Sequence, residues 1–445
     1  MAVSGHDRTK SGLRFLAAAL ALLLVLAGAW VTRRLFQPDP CAGTDIERGR
    51  LSEDFIHSRP PGTTFCIQPG AHFLSSSIQL RSGDSVIGVG NAVVDGKGES
   101  IPAFYGFGGE DDNVTIRNLT IQNFRGTATV PGGQRAIKTG GKWVLDNLTV
   151  RENLSGVAVF DGSVIRNSRL LNNSMYGLNG ASATAENNEI AYNGGTRDSG
   201  GSTGGTKIVH SRERFTFHNN HVHHNRGPGL WCDFNNVCLY EGNLVELNEH
   251  VGIFHEYNNE GDDRGIIRDN TVRNNGTGLI EGAPAIDKSL SWGANLYVKE
   301  SSNTDVYGNT ILMDEVPWHG IGIVDDNRSG PISNNNVRDN AVVKPLVEGV
   351  AAGAIGDTLT DVSQGRFEEN SYSVPDTSTA WWRWGSGGSA TAQFRTWVQW
   401  QAIPQDASGV QTVALATMQG SIRVAGTECP LLSDKRPQSA RSDRC

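Results

Sequence analysis

Isolated apolar residues set among polar ones recur down the middle of the chain. In the unit Asn-x-x-apolar and its close variants they are Ile121, Val150, Leu170, Ile190, Val222, Val245, Val272, Ile311 and Val337, at intervals of 29, 20, 20, 32, 23, 27, 39 and 26 residues. A floor near 20 with variable excess predicts a solenoid whose coils are constant in size and whose loops are not. Each unit, for example NVTIRNLTIQNF, KWVLDNLTVREN or GIIRDNTVRNNG, contains two or three alternating runs of three to five residues. No interval holds the sustained 3.6-residue periodicity of a βαβ crossover helix. A sandwich of antiparallel strands needs longer strands and hairpin turns between paired runs. The pattern therefore predicts an all-β chain, a single-stranded right-handed parallel β-helix in which every coil pairs with the next.

Asparagine pairs sharpen this expectation. Asn172-Asn173, Asn187-Asn188, Asn219-Asn220 and the triple Asn334-Asn335-Asn336 suit bends, where the residue tolerates left-handed dihedrals and its amide bonds to backbone. A buried amide is costly unless paired, so one Asn per coil is expected to stack at one bend as an internal ladder. Gly 54 beside only 7% aromatic residues fits a chain rich in tight turns.

The flanks read differently. Residues 1–14 form a basic tail, and residues 15–32 are uncharged and strongly apolar, with Arg33 and Arg34 following. Eighteen residues reach about 27 Å as a helix, just enough for a transmembrane anchor; a cleaved signal segment is the alternative. Either places the rest outside the cytoplasm, anchored to a membrane or secreted. Residues 33–62 are a linker and lead-in, 63–375 the β-helix, and 376–445 a cap and tail. The cap is rich in tryptophan (Trp381, Trp382, Trp384, Trp397, Trp400), which suits covering the exposed last coil. A short helix is expected over about 390–401, where Phe394, Trp397, Val398 and Gln401 fall on one face. The six cysteines fit an oxidising compartment: Cys41 with Cys66 and Cys429 with Cys445 as staples, Cys232 and Cys238 as a loop disulfide or buried thiols.

A net charge of −8 argues against a nucleic-acid partner. The chemistry is concentrated where two coils align without a gap. Gly229-Leu230-Trp231-Cys232-Asp233 precedes Gly252-Ile253-Phe254-His255-Glu256 by 23 residues, the same spacing as Val222 to Val245. With Leu230 and Ile253 inward, alternation sends Trp231, Asp233, Phe254 and Glu256 outward, and Cys232 and His255 inward or to the strand end. Asp233 and Glu256 should then meet across one strand spacing of about 4.8 Å. Two carboxylates so close push their pKa values apart, the division that a proton donor and its partner need. The same pair could chelate Ca²⁺ or be solvated surface carboxylates. Lys207 is placed in or beside the Trp231–Phe254 column, and His255 is an orienter if buried or a general base if exposed. Arg264, Trp292, Trp318 and His319 lie in or near loops after these coils and are candidate substrate contacts with Trp231 and Phe254. A tract of His210, His218, His221, His223 and His224 suggests a metal site, but alternation scatters its members over different faces.

The Asn-rich coils, the entry segment TTFCIQPGAHFLSSSIQLRSGDSVIG, and HNNHVHHNRGPGLWCDFNN followed by NEHVGIFHEY resemble bacterial secreted proteins of the right-handed parallel β-helix, pectin-lyase-like superfamily. The resemblance spans roughly residues 41–400. It implies that fold and a leaning toward polysaccharide or oligosaccharide partners. The catalytic Arg and Ca²⁺ cluster of pectate-lyase-like enzymes, and the acidic series of polygalacturonase-like hydrolases, have no clean counterpart here, so no role is transferred. The expected function is a glycan-active enzyme, a glycoside hydrolase using Asp233 and Glu256, with His255 and Lys207 in support. It is expected to act as a monomer and to require no cofactor. A polysaccharide lyase or uronan epimerase, using Lys or His and possible calcium, is the alternative. A glycan-binding or structural surface protein stands against both.

Overall fold

The structure is a computed structural model. It describes residues 41–99, 101–107, 111–125, 135–194, 203–234, 237–258, 263–279, 293–315, 319–325, 331–356, 364–386 and 393–414. Among these, 39 strands, numbered β1–β39 in chain order, form three 13-stranded sheets. Successive strands of one coil belong to sheets 1, 2 and 3 in turn, and each strand pairs in parallel with its equivalent in the next coil. The exception is the last strand of sheet 3, Gln393–Arg395, which runs antiparallel to Trp382–Ser386.

Most strands of sheets 1 and 2 are only three residues long, as in Thr149–Arg151, with the middle residue buried and its neighbours at or near the surface. One apolar side chain per strand is thus enough to build a continuous core, each contributing about 1.5–3 kcal/mol by burial. The inward column of sheet 2 runs Val94, Ile121, Val150, Leu170, Ile190, Val222, Val245, Val272, Ile311 and Val342. The repeat read from sequence follows this column except at its last member. Val337 belongs to sheet 1, where it pairs with Val306, because Asn-x-x-apolar occurs on both sides of a bend.

Two Asn ladders run through the stack where one was expected. Side-chain amides link Asn153, Asn173, Asn193, Asn225, Asn248, Asn275 and Asn295 between sheets 2 and 3. A second series links Asn188, Asn220, Asn243, Asn270, Asn309, Asn340 and Asn370 between sheets 1 and 2. The paired asparagines divide the labour: Asn172, Asn187 and Asn219 take left-handed φ values of 55°, 55° and 52°, and the Asn after each enters a ladder.

The membrane expectation is corrected. No helix among the described residues is long and apolar enough to cross a membrane. The α-helices are α1 (Glu53–His57) and α2 (Trp397–Ala402), and six residues span only about 9 Å against a ~30 Å hydrocarbon layer. Residues 15–32 lie outside the described residues, so neither a transmembrane segment nor a membrane partner has support in the structure. The expected helix over 390–401 is shorter: residues 393–395 are strand, and α2 begins after the N-cap Thr396. Trp381, Trp382, Trp384 and Trp400 are buried in the main core at the end of the stack. Disulfides join Cys41 to Cys66 and Cys232 to Cys238; Cys429 and Cys445 lie outside the described residues.

Candidate active site on the outer face of sheet 3

Sheet 3 carries strands β19 (Gly204–Val209), β22 (Leu230–Asp233), β25 (Ile253–Glu256), β28 (Ala294–Lys299) and β31 (His319–Asp325) in consecutive coils. Leu230 pairs with Ile253, Trp231 with Phe254 and Cys232 with His255, so Asp233 and Glu256 follow in the same register. Leu230, Cys232 and Ile253 enter the main core. Trp231 and Phe254 belong instead to a separate apolar cluster with Val251, Ala294, Tyr297 and Val324 on the opposite face.

Four charges line up beside that cluster. Lys207 Nζ lies 2.9 Å from Asp233 Oδ2, and Lys299 Nζ lies 3.7 Å from Glu256 Oε1. Trp231 bridges them: its ring lies 3.6 Å under the Lys207 ammonium, and its indole N–H donates to Glu256 Oε2 at 3.2 Å. The series Lys207, Asp233, Glu256, Lys299 thus runs across adjacent coils with an ammonium at each end and the two carboxylates between. Asp233, Glu256 and Lys299 are buried, while the Lys207 side chain is 20% exposed, so solvent meets the group from the Lys207 side.

Desolvation sets the titration. Burial, followed by the neighbouring Asp233 carboxylate, pushes the Glu256 carboxyl up to about 7; the two lysines and the indole only partly oppose this. Burial also raises Asp233, against the pull of Lys207 and of a hydrogen bond from the Phe234 backbone N–H. The pair therefore holds one carboxyl that is protonated near neutral pH beside another tied directly to an ammonium.

The other candidates are dispersed. His255 points into the interior, within 3.4 Å of Tyr240 Oη, and burial depresses it to about 3; it does not reach the outer face. Arg264 directly precedes the sheet 1 strand Gly265–Arg268 and pairs with Asp305. His319 is buried on sheet 3 with its ring 6.0 Å from that of Tyr297, two coils beyond Glu256. Trp292 and Trp318 lie outside the described residues. His221, His223 and His224 lie on or beside β21 (His221–His223) in sheet 2, where His221 and His223 meet Glu246 and Glu189. Among the described residues no group of three or more His, Cys, Asp or Glu is arranged to hold a metal ion.

Sequence reasoning missed Lys299 and Tyr297. The long interval between Val272 and Ile311 concealed that Leu296-Tyr297-Val298-Lys299 repeats the alternation of Ile253-Phe254-His255-Glu256, with which it pairs residue for residue. One coil on, Gly322 opposes Tyr297, and a side chain at 322 would collide with its ring.

A family model described as the right-handed β-helix region matches residues 110–287. No curated protein matches the chain. Among solved structures, the A-module of the Azotobacter vinelandii mannuronan C-5 epimerase AlgE4 is 14% identical, with 84% of this chain and 96% of that one covered and a TM-score of 0.44. The catalytic domain of a GH87 α-1,3-glucanase is 12% identical over 84% of this chain and 68% of its own, with a TM-score of 0.49. PfbA, a surface adhesin of Streptococcus pneumoniae, is 11% identical over 75% and 88%, with a TM-score of 0.39. Likeness at this level concerns architecture alone. The three parallel sheets, with the family model matched over residues 110–287, make this chain a right-handed parallel β-helix.

Proposed function

We propose that the protein is an extracytoplasmic glycan-active enzyme, a glycoside hydrolase in which Glu256 is the proton donor and Asp233 its carboxylate partner. The observation that carries this reading is the pair itself. Two acids in adjacent coils face outward in one register, and burial holds one of them protonated near neutral pH. In the reaction Glu256 gives its proton to the departing glycosidic oxygen as the C–O bond breaks. Water then adds to the sugar carbon and gives up a proton to the Glu256 carboxylate, which restores the acid, while the Asp233 carboxylate opposes the positive charge that develops on the sugar. Lys207 holds Asp233 in place, and Lys299 positions Glu256. Two disulfides support an oxidising compartment. Calcium has no part in this scheme, because ammonium groups already occupy both flanks of the pair; chelation with EDTA should leave turnover unchanged.

A second reading rests on the charge balance. Two lysines neutralise two carboxylates, as they would in a static network, which favours a non-catalytic glycan-binding or structural role. Elimination or epimerisation of a uronate would rely on Lys207, since His255 is turned inward. Product analysis on a polysaccharide panel separates these. Hydrolysis yields new reducing ends without ultraviolet-absorbing unsaturated sugars, and elimination yields both. Epimerisation yields neither but changes the uronate composition seen by proton NMR, and a binding protein leaves the polymer unchanged. Glu256→Gln and Asp233→Asn should each lower hydrolysis by about 10²-fold or more while leaving the unfolding transition cooperative. Full activity in both variants would end the proposal.

A further inference from the structure

The corner after sheet 3 is occupied in successive coils by Asp161, Ser182, His210, Phe234, Tyr257 and Glu300, all with left-handed φ between 46° and 58°. The register places them in one column, since Val159 pairs with Gly180, Gly180 with Ile208, Val209 with Asp233, and Glu256 with Lys299. This backbone conformation is disfavoured for every residue with a side chain, least so for Asn, Asp and His, and markedly so for bulky rings such as Phe and Tyr. The fold asks only for a bend there. Two adjacent coils nevertheless carry Phe and Tyr there, with His in the coil before them, and these three coils bear Lys207, Asp233 and Glu256.

The three rings stack on one another along the coil axis. The His210 and Phe234 centroids are 5.7 Å apart, and those of Phe234 and Tyr257 are 5.3 Å apart with the planes inclined by 5°. Parallel rings at that separation are slipped, so part of each face stays uncovered. Phe234 is 47% exposed, His210 is exposed and Tyr257 is half-buried, in contrast to the buried Trp231 and Phe254 on the sheet itself. The shelf is tied to the carboxylates: the Phe234 N–H donates to Asp233, and the Cys232–Cys238 disulfide closes the turn carrying both residues.

We propose that His210, Phe234 and Tyr257 form an aromatic shelf on which a pyranose ring of a polysaccharide stacks, placing the adjoining linkage beside Asp233 and Glu256. The chemistry recognised is the apolar C–H face of a pyranose, and the polymer lies along the coil axis, parallel to the shelf. This inference rests on the glycan-active reading above and adds a binding surface to it.

The test measures KM and kcat for the wild type, Phe234→Ala/Tyr257→Ala and Phe234→Trp/Tyr257→Trp. The probes are polymannuronate, polygalacturonate, α-1,3-glucan and β-1,4-glucan, with Kd measured by calorimetry on the same polymers. The alanine pair is expected to raise KM or Kd about tenfold with kcat little changed, and the tryptophan pair to restore binding. Tyr192→Ala, a left-handed aromatic at the corner between sheets 2 and 3, should change neither constant. An alanine pair with wild-type KM and Kd on a polymer the protein cleaves overturns the shelf and leaves the catalytic reading standing. Binding without turnover, lost in the alanine pair, keeps the shelf and ends that reading. A wild type that neither binds nor cleaves any of the polymers overturns both.

Discussion

Turned away from the interior yet shielded from solvent, Glu256 has a carboxyl that burial and the Asp233 carboxylate push up to about 7. Unfolding frees it to titrate near its ordinary 4.5. Between those two values the folded chain binds one more proton than the unfolded chain, so this group makes stability fall as pH rises through the window. Thermal midpoints across that range should fall with pH in the wild type and be flatter in Glu256→Gln. Catalysis follows the same proton. Turnover needs protonated Glu256, so kcat/KM should decline as pH rises through about 7, and a profile flat across neutral pH would contradict the assignment. At this scale the acids were legible, because strict alternation fixed the outward direction of Asp233 and Glu256. The burial of Trp231 and Phe254 was not, since alternation says which face a residue occupies and nothing of what covers that face.

A single coil is held by amides as much as by its apolar residue. Asn248 is typical: its Nδ2 donates to Asn275 Oδ1 at 2.8 Å and to the Val222 carbonyl, while its Oδ1 accepts from the Asn225 amide and backbone N–H. Removing it strands partners in the coils on both sides, each costing about 1–3 kcal/mol. Asn248→Ala should therefore destabilise the protein by on the order of 3 kcal/mol, and so should Asn248→Asp, which keeps the acceptor and loses both donors. Urea denaturation measures this; a loss below about 0.5 kcal/mol in Asn248→Ala would mean that the ladder contributes little. The Asn pairs announced a bend in the sequence. Their second half-coil, with its own ladder, was hidden because positions such as Tyr192, His224 and Leu247 take the left-handed role there without being Asn.

Over the whole molecule the stack needs an end, and the ladder between sheets 1 and 2 finishes on an acid. Asn370 Nδ2 donates to Asp406 Oδ1 at 2.8 Å, while Asp406 Oδ2 accepts from the Tyr372 hydroxyl at 2.8 Å and the Trp400 indole N–H at 2.9 Å. Asp406→Ala should lower the unfolding midpoint and expose tryptophan at the C-terminal end of the stack, seen as a red-shifted emission; an unchanged midpoint and spectrum would show that the end needs no such anchor. The tryptophan-rich composition pointed to this region from sequence. Asp406 did not stand out, because it completes an Asn column from which it lies 36 residues distant. The solenoid as a whole was legible from its spacing, whereas the pairing of β25 with β28 across a long interval became visible only in three dimensions.

One carboxyl decides whether this site can donate a proton. Carbon-13 NMR of the intact chain labelled at the glutamate side-chain carboxyl, with Glu256→Gln identifying the resonance, reads its titration without any substrate. A midpoint near 7 is predicted. A midpoint near the ordinary 4.5 would leave Glu256 ionised at neutral pH and unable to serve as the proton donor.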